Sequence, residues 1–318
     1  MNIHTLNDLA GNNNALNNNQ NNLFFQNNQN NQNNQNEQNN QIFMPGFNQA
    51  NGGQNGGIID FLFPKEVYKM KTLSFLIICI LIGVYFIQLI LYYSIYKPNG
   101  YGWHCLLYHF GASETSAIVN HYQYFRLITP MFTHNNFYHL FSNIISILFI
   151  GFPVEYDLKN RTNYLLLFFI SGIIGNFCSL LFTYDNITMG ASGAILGFCG
   201  YYVLFFILNW DQMNYSQKCC SMIFFIIIFL NLTSGLTEGS SRVDYHSHIG
   251  GFIAGLAFGM FLTYRSQVLY RFPQNIMKLL FYLSIGFLVG LPLISIIVIN
   301  LKDIPDNTEF FCLTQNVS

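Results

Sequence analysis

Charge is scarce in this chain. Lys, Arg, Asp and Glu make up 8% of its 318 residues, against roughly a quarter in soluble globular domains. The net charge of −1 leaves no basic footprint, so nucleic acid is not expected as a partner. The first 57 residues hold no Lys or Arg. That excludes the charged start of a secretory signal peptide and the arginines of a mitochondrial transit peptide. Metal-ligand spacing of the H-E-x-x-H kind is missing among the histidines, so no metal centre and no cofactor is implied.

What the chain has instead is apolar surface, 52% of its residues being hydrophobic. Residues 1–57 stand apart from this, an Asn- and Gln-rich tract that cannot bury enough apolar area to offset the entropy of ordering. Disorder is expected there, and both a functionless low-complexity expansion and a sorting or interaction role fit its composition. A short juxtamembrane linker follows at 58–71. Beyond it, runs of about 20 apolar residues predict an all-α polytopic membrane protein.

Seven spans are predicted: Thr72 to Tyr96, Tyr138 to Val154, Tyr164 to Phe182, Ala191 to Leu208, Cys219 to Leu232, Ser247 to Tyr264 and Met277 to Leu301. The segment between the first two, 97–136, is rich in aromatics (Trp103, Tyr108, Phe110, Tyr122, Tyr124, Phe125) and reads as an interfacial structure. With an N-terminus in the cytosol, nine of the thirteen basic residues fall on the cytosolic side and four on the other. The positive-inside rule therefore predicts a cytosolic N-terminus and a lumenal or extracellular C-terminus.

Polar residues inside such spans are costly and mark functional sites by default. The fourth span opens with Gly190-Ala191-Ser192-Gly193 and continues to Gly197 and Gly200. The sixth opens with His246-Ser247-His248-Ile249-Gly250-Gly251 and continues to Gly255 and Gly259. His248, Gly251, Gly255 and Gly259 share one helix face, while His246 is turned by about 200° from His248. Two glycine ridges, the other being Gly190, Gly193, Gly197 and Gly200, would let the helices approach and bring His248 to Ser192. A serine beside a histidine is a nucleophile with its base. The bland alternative is that these small residues only pack helices, with the histidine in a proton relay or on a metal.

The second span adds weight to the catalytic reading. It begins at His134-Asn135-Asn136-Phe137-Tyr138-His139 and reaches Asn143, with His139 and Asn143 on one face. An imidazole and a carboxamide buried together suit the donors of an oxyanion hole; satisfying neighbouring polar groups is the other use.

His134-x4-His139-x3-Asn143, Gly190-x-Ser192-Gly193 and His248-x-Gly250-Gly251-x3-Gly255, in this order, resemble the rhomboid family of intramembrane serine proteases. The resemblance covers 72–264 and implies a six-helix catalytic core. Segment 265–318, a seventh helix and tail, resembles the six-plus-one arrangement of secretory-pathway members. The resemblance implies Ser192 as nucleophile, His248 as general base, and His139 and Asn143 at the oxyanion hole. Tyr124-Phe125-Arg126 resembles the family's Trp-Arg motif, with Phe125 in the Trp position. Glu155 resembles an acidic position at the cytosolic end of the second helix, where Lys159 or Arg161 could pair with it. Leu196 departs from members with an aromatic residue four after the nucleophile. The implied substrates are single-pass transmembrane proteins within the lipid bilayer. A catalytically inactive relative that binds transmembrane helices is the alternative, and a channel or transporter fits less well because the spans lack charged relays.

Of the seven cysteines, Cys79, Cys178 and Cys199 read as small apolar residues within spans. Cys219 and Cys220 suit packing or palmitoylation at a membrane edge. The topology puts Cys105 and Cys312 both on the lumenal side, where a disulfide would tie the tail to the first loop. Asn316-Val317-Ser318 is a formal glycosylation acceptor at the end of the sequence. Oligomeric state has no signature in the sequence.

Overall fold

Thr72 opens the first helix. Its side chain accepts the Phe75 N–H at 3.2 Å, an N-cap that starts α1, Leu73–Leu91. The helix loosens into a π turn at Tyr92–Tyr96 and ends through a 3-10 turn at Lys97–Asn99, where Gly100 (φ 78°) closes it. The computed structural model describes residues 72–183, 187–212, 218, 222, 244–265, 273–302, 304–306 and 312. The expected tail and linker at 1–71, the fifth span (apart from Met222), Cys219, Cys220 and the Asn316 acceptor lie outside them.

Two short helices follow, α2 (Trp103–His109) and α3 (Thr115–Val119). Asn136 then caps α4, Phe137–Ser146, by accepting the His139 N–H at 2.9 Å. Pro153 cannot donate to a helical ladder, and just before it, at Ile147–Gly151, the helix widens into a π turn. It continues as α5, Phe152–Leu158, so the second span is one apolar rod, Phe137–Leu158. Next come α6 (Arg161–Phe182), α7 (Ser192–Asn209), α8 (Tyr245–Arg265) and α9 (Gln274–Asn300).

Six helical segments among the described residues are long and apolar enough to cross a membrane. With no strand in that set beyond the isolated Ser113–Thr188 bridge, the fold is an all-α polytopic membrane protein. The expected spans and the helices differ most at the end of the second, which runs to Leu158 rather than Val154.

The main core is aromatic. Tyr164 of α6 stacks on Phe198 of α7 with centroids 4.9 Å apart, and Phe168 lies beside them. Helix α9 rests on α8 through Phe281, stacked on Tyr264 at 4.4 Å, and on α6 through Ser295, whose hydroxyl reaches the Phe177 carbonyl at 3.3 Å. Past α9, Ile304 joins Ile118, Phe177, Leu180 and Ile299 in a second apolar cluster.

The aromatic residues of the first loop divide between surface and interior. Tyr122, Tyr124 and Phe125 are exposed, but Tyr108 is buried and Trp103 and Phe110 are half-covered. Arg126 organises this loop. Its guanidinium is buried, donates to the carbonyls of Tyr108 and Ala112 at 2.7 Å each, and lies 4.2 Å from the Tyr108 ring centroid. Such a planar fork satisfies several carbonyls at once.

Glu155 corrects an expectation. Its carboxylate accepts from the N–H groups of Leu73 and Ser74 and from the Ser74 hydroxyl, each at 2.7 Å, and the Ser74 hydroxyl also meets Tyr164 Oη at 2.8 Å. Among the described residues it makes no ion pair with Lys159 or Arg161. The first-turn N–H groups of α1 point at Glu155 and present the positive end of the helix dipole, which holds an anion better than a solvated cation would. Glu155→Ala is expected to destabilise the protein by about 2 kcal/mol, read as a lower Tm in detergent, with Glu155→Gln in between.

Candidate active site

The site forms where α4, α7 and α8 meet. Ser192 is the first residue of α7, directly after a turn at Gly190, whose φ of 117° disfavours any side chain. A Cβ there would also meet the His139 ring, 2.6 Å from Cε1 and 2.7 Å from Nε2. The Gly190 N–H donates to the Pro130 carbonyl at 2.8 Å, and Thr188 pairs with Ser113 by bonds of 2.8 and 2.9 Å. The turn before Ser192 is thus anchored to the first loop. Gly190 belongs to this turn, not to the glycine ridge expected of it.

The ridge itself runs from Gly193. A Cβ on Gly251 would strike the Gly193 carbonyl, and one on Gly255 the Gly197 carbonyl. The backbones of α7 and α8 touch along this line, as small-residue interfaces allow. On the other side, a Cβ on Gly175 of α6 would lie 2.7 Å from the Ser247 carbonyl, and one on Gly193 2.7 Å from Ser247 Oγ. Ser247 is wedged between α6 and α7, one residue before His248.

That packing brings His248 Nε2 to 2.7 Å from Ser192 Oγ. In the tautomer with a bare Nε2, the Ser192 hydroxyl donates to it. Both residues are half-buried, screened but reachable. His246 lies away from Ser192, stacked on Phe182 at 4.5 Å. Leu196, one turn further along α7, packs on Cys199 and Phe252.

His139 and Asn143 flank the Gly190 turn from α4, Asn143 Nδ2 lying 3.6 Å from where a Gly190 Cβ would stand. Asn143 Nδ2 is also 2.9 Å from His134 Nε2. An amide nitrogen only donates, so His134 accepts through Nε2 and carries its proton on Nδ1. One N–H of Asn143 is held by His134, and the other remains for a ligand at the turn. The N–H groups of the first turn of α7 stand at the same place, the end of a helix that favours negative charge. A developing oxyanion beside Ser192 would meet these groups.

Burial, with the His139 ring beside it, pushes the His134 imidazole down to about 3, while the Phe132 carbonyl acts in the opposite direction. His134 is therefore neutral at physiological pH and stays an acceptor for Asn143. Because its folded value lies below the unfolded one near 6.5, the unfolded chain binds the proton more readily. The stability this group contributes is complete above pH 6.5 and is lost as pH falls from there towards 3. Thermal melts from pH 7.5 to 4.5 are expected to show Tm falling below pH 6.5, and falling less in His134→Gln.

Cys105 Sγ is joined to Cys312 Sγ, linking α2 to the segment beyond α9. His109 Nδ1 lies 3.6 Å from Cys105 Sγ. These three form the one metal-sized cluster among the described residues, but with the sulfurs bonded to each other the thiolates a metal needs are spent. Nearby, His121 pairs with Asp306 at 2.9 Å, and Asn120 donates to the Ile304 carbonyl. The tail after α9 is strapped to the first loop.

Sequence reading did not single out Asp244, Ser247 or the Ser113–Thr188 bridge. Asp244 stands where a helix N-cap is found, just before an apolar run, and that signal was readable. The bridge joins residues 75 positions apart and has no local signature.

Residues 121–265 match the family model of the Rhomboid domain. The chain is 35% identical over 158 residues to RHOMBOID-like protein 2 of Arabidopsis thaliana, across 49% of this chain and 48% of that protein. With Rhomboid-like protease 1 of Toxoplasma gondii it shares 33% identity over 159 residues, 49% of this chain and 52% of the relative. With RHOMBOID-like protein 5 of Arabidopsis thaliana the figures are 36% over 169 residues, 52% of each. The chain thus spans about half the length of the curated relatives it matches. The matched domain contains His134, His139, Asn143, Ser192 and His248 and starts after α1, α2 and α3.

Proposed function

We propose that this chain, whose residues 121–265 match the family model of the Rhomboid domain, is an intramembrane serine endopeptidase of the rhomboid family acting on transmembrane helices of other proteins. The observation that carries this is the 2.7 Å contact between Ser192 Oγ and His248 Nε2 at the start of two packed helices.

Neutral His248 takes the Ser192 proton on Nε2 as Oγ attacks a peptide carbonyl carbon. The carbonyl π pair moves to oxygen, and the oxyanion lies at the Gly190 turn. There the free N–H of Asn143, His139 protonated on Nε2, and first-turn N–H groups of α7 donate to it. Collapse re-forms the C=O and breaks the C–N bond, and His248 gives its proton to the leaving amine. Water then attacks the acyl ester with His248 as base, and Ser192 regains its proton. Substrate helices must unwind to present a carbonyl, so Gly or Pro near the scissile bond favours cleavage.

The same reading places the N-terminus in the cytosol and Ser192, His248 and the Cys105–Cys312 link on the lumenal or extracellular side, in the secretory pathway or plasma membrane. The excess of basic residues on one side supports it.

Fluorophosphonate labelling tests the nucleophile. We expect one adduct, on Ser192, and none in His248→Ala; a folded wild-type protein that takes no label would speak against the dyad. Asn143→Ala is expected to lower kcat about 10²-fold, less than loss of Ser192. Equal losses, with the fold intact, would make Asn143 more than an oxyanion donor.

A further inference from the structure

Asp244 has no part in the mechanism above, yet it holds the first turn of α8 at two points. Its carboxylate Oδ1 accepts the Ser247 N–H at 3.1 Å, and its carbonyl accepts the His248 N–H at 3.3 Å. The residues it grips are the wedge between α6 and α7 and the partner of Ser192. The carboxylate is closed to solvent at Oδ2, with Ser179 of α6 and His246 beside it.

A carboxylate shut away from water is costly and is tolerated where N–H groups and a helix N-terminus face it. A solvated cap would start the helix without that cost. The buried one also fixes where the helix starts against its neighbours. From Asp244 the contacts run to Ser247, from Ser247 to Gly175 on one side and Gly193 on the other, and Gly193 adjoins Ser192. Moving the first turn of α8 moves His248 against Ser192 along a line where α7 and α8 have no slack.

We propose that Asp244 is the positioning residue of the Ser192–His248 pair, an N-cap that sets the register and rotation of α8 so that Nε2 meets Oγ. This rests on the catalytic reading of the pair, and one readout below does not depend on catalysis.

Asp244→Ala removes the cap, whereas Asp244→Asn keeps an oxygen that accepts the Ser247 N–H and removes the charge. Asn160→Ala is the control: Asn160 caps α6 by accepting from Thr162 and Asn163, at the start of a helix that carries none of the proposed catalytic residues. In protein carrying ¹⁵N-histidine, the His248 Nε2 signal, assigned with His248→Ala, reports the bond from Ser192. Asp244→Ala is expected to move it to its position in Ser192→Ala, while Asp244→Asn and Asn160→Ala leave it in place. On a cleavable transmembrane reporter, Asp244→Ala should lower kcat about 10- to 100-fold at unchanged KM. Asp244→Asn should stay within about 3-fold, and Asn160→Ala should lose Tm without losing kcat.

Two results would overturn the proposal: an Asp244→Ala protein with the wild-type signal and kcat, or an Asp244→Asn protein as impaired as Asp244→Ala. If the signal moves as described while wild type cleaves nothing, the positioning stands and the catalytic reading fails.

Discussion

His248→Ala is expected to lower kcat by about four orders of magnitude while KM changes little. The Ser192 hydroxyl keeps its proton at neutral pH unless a base stands within hydrogen-bond reach, and the base at 2.7 Å is His248. Without it the donors at the Gly190 turn still bind an oxyanion, so a small residual rate over water persists. Substrate binding is untouched because the imidazole acts in the transition state rather than on the bound helix. The side chain is half-buried, so its removal leaves Tm nearly unchanged. Progress curves with reporter in proteoliposomes, alongside a melt of the same preparation, separate lost chemistry from lost fold. A retained rate within ten-fold of wild type would remove His248 from the mechanism.

The second large effect belongs to a residue with no side chain. Gly255→Ala is expected to cost about 100-fold in kcat and several degrees of Tm, and Gly255→Val to prevent folding. A Cβ at Gly255 would overlap the Gly197 carbonyl oxygen and stand 2.6 Å from its carbon, where ordinary contacts begin near 3.4 Å. The helices must part by roughly 1 Å, an overpacking that costs about 1–3 kcal/mol. The same movement lengthens the Ser192–His248 contact, and misplacement by about 1 Å costs on the order of 10² in rate. Gly286 of α9 is the comparison: a Cβ there meets nothing within 4 Å. Gly286→Ala should leave activity as it is and raise helix stability slightly. Equal behaviour of the two variants would mean that α7 and α8 are not held by close backbone contact.

These two cases mark what was legible in the sequence. Period and hydropathy are local, so the six described spans emerged with ends displaced by no more than a few residues. Glycines at steps of three and four forecast which faces of α7 and α8 touch, because a missing side chain is itself the packing signal. Gly190 broke the pattern because it lies before the helix, where its positive φ and the His139 ring decide its identity. Glu155 was noticed, but its partner was misjudged. Charge complementarity suggested nearby Lys159 or Arg161, whereas the stronger partners were N–H groups 81 and 82 residues away. Arg126 was placed in a motif, but its two carbonyl acceptors are backbone atoms, which carry no sequence label. Asp244 was readable as a cap, and the close contact of Ser247 with Gly175 and Gly193 was not. Tertiary contacts to the backbone are the common element in what was missed.

The most direct test of the central claim is cleavage of a single-pass reporter with a helix-breaking residue near its scissile bond, co-reconstituted with wild type or with Ser192→Ala. The account predicts a discrete fragment from wild type, whose new end maps within or beside the reporter's transmembrane segment, and none from Ser192→Ala. A fragment from both proteins, or from neither when both are folded and several reporters have been tried, would contradict it. The second outcome would leave a protein with a Rhomboid-like domain that binds transmembrane helices without cutting them.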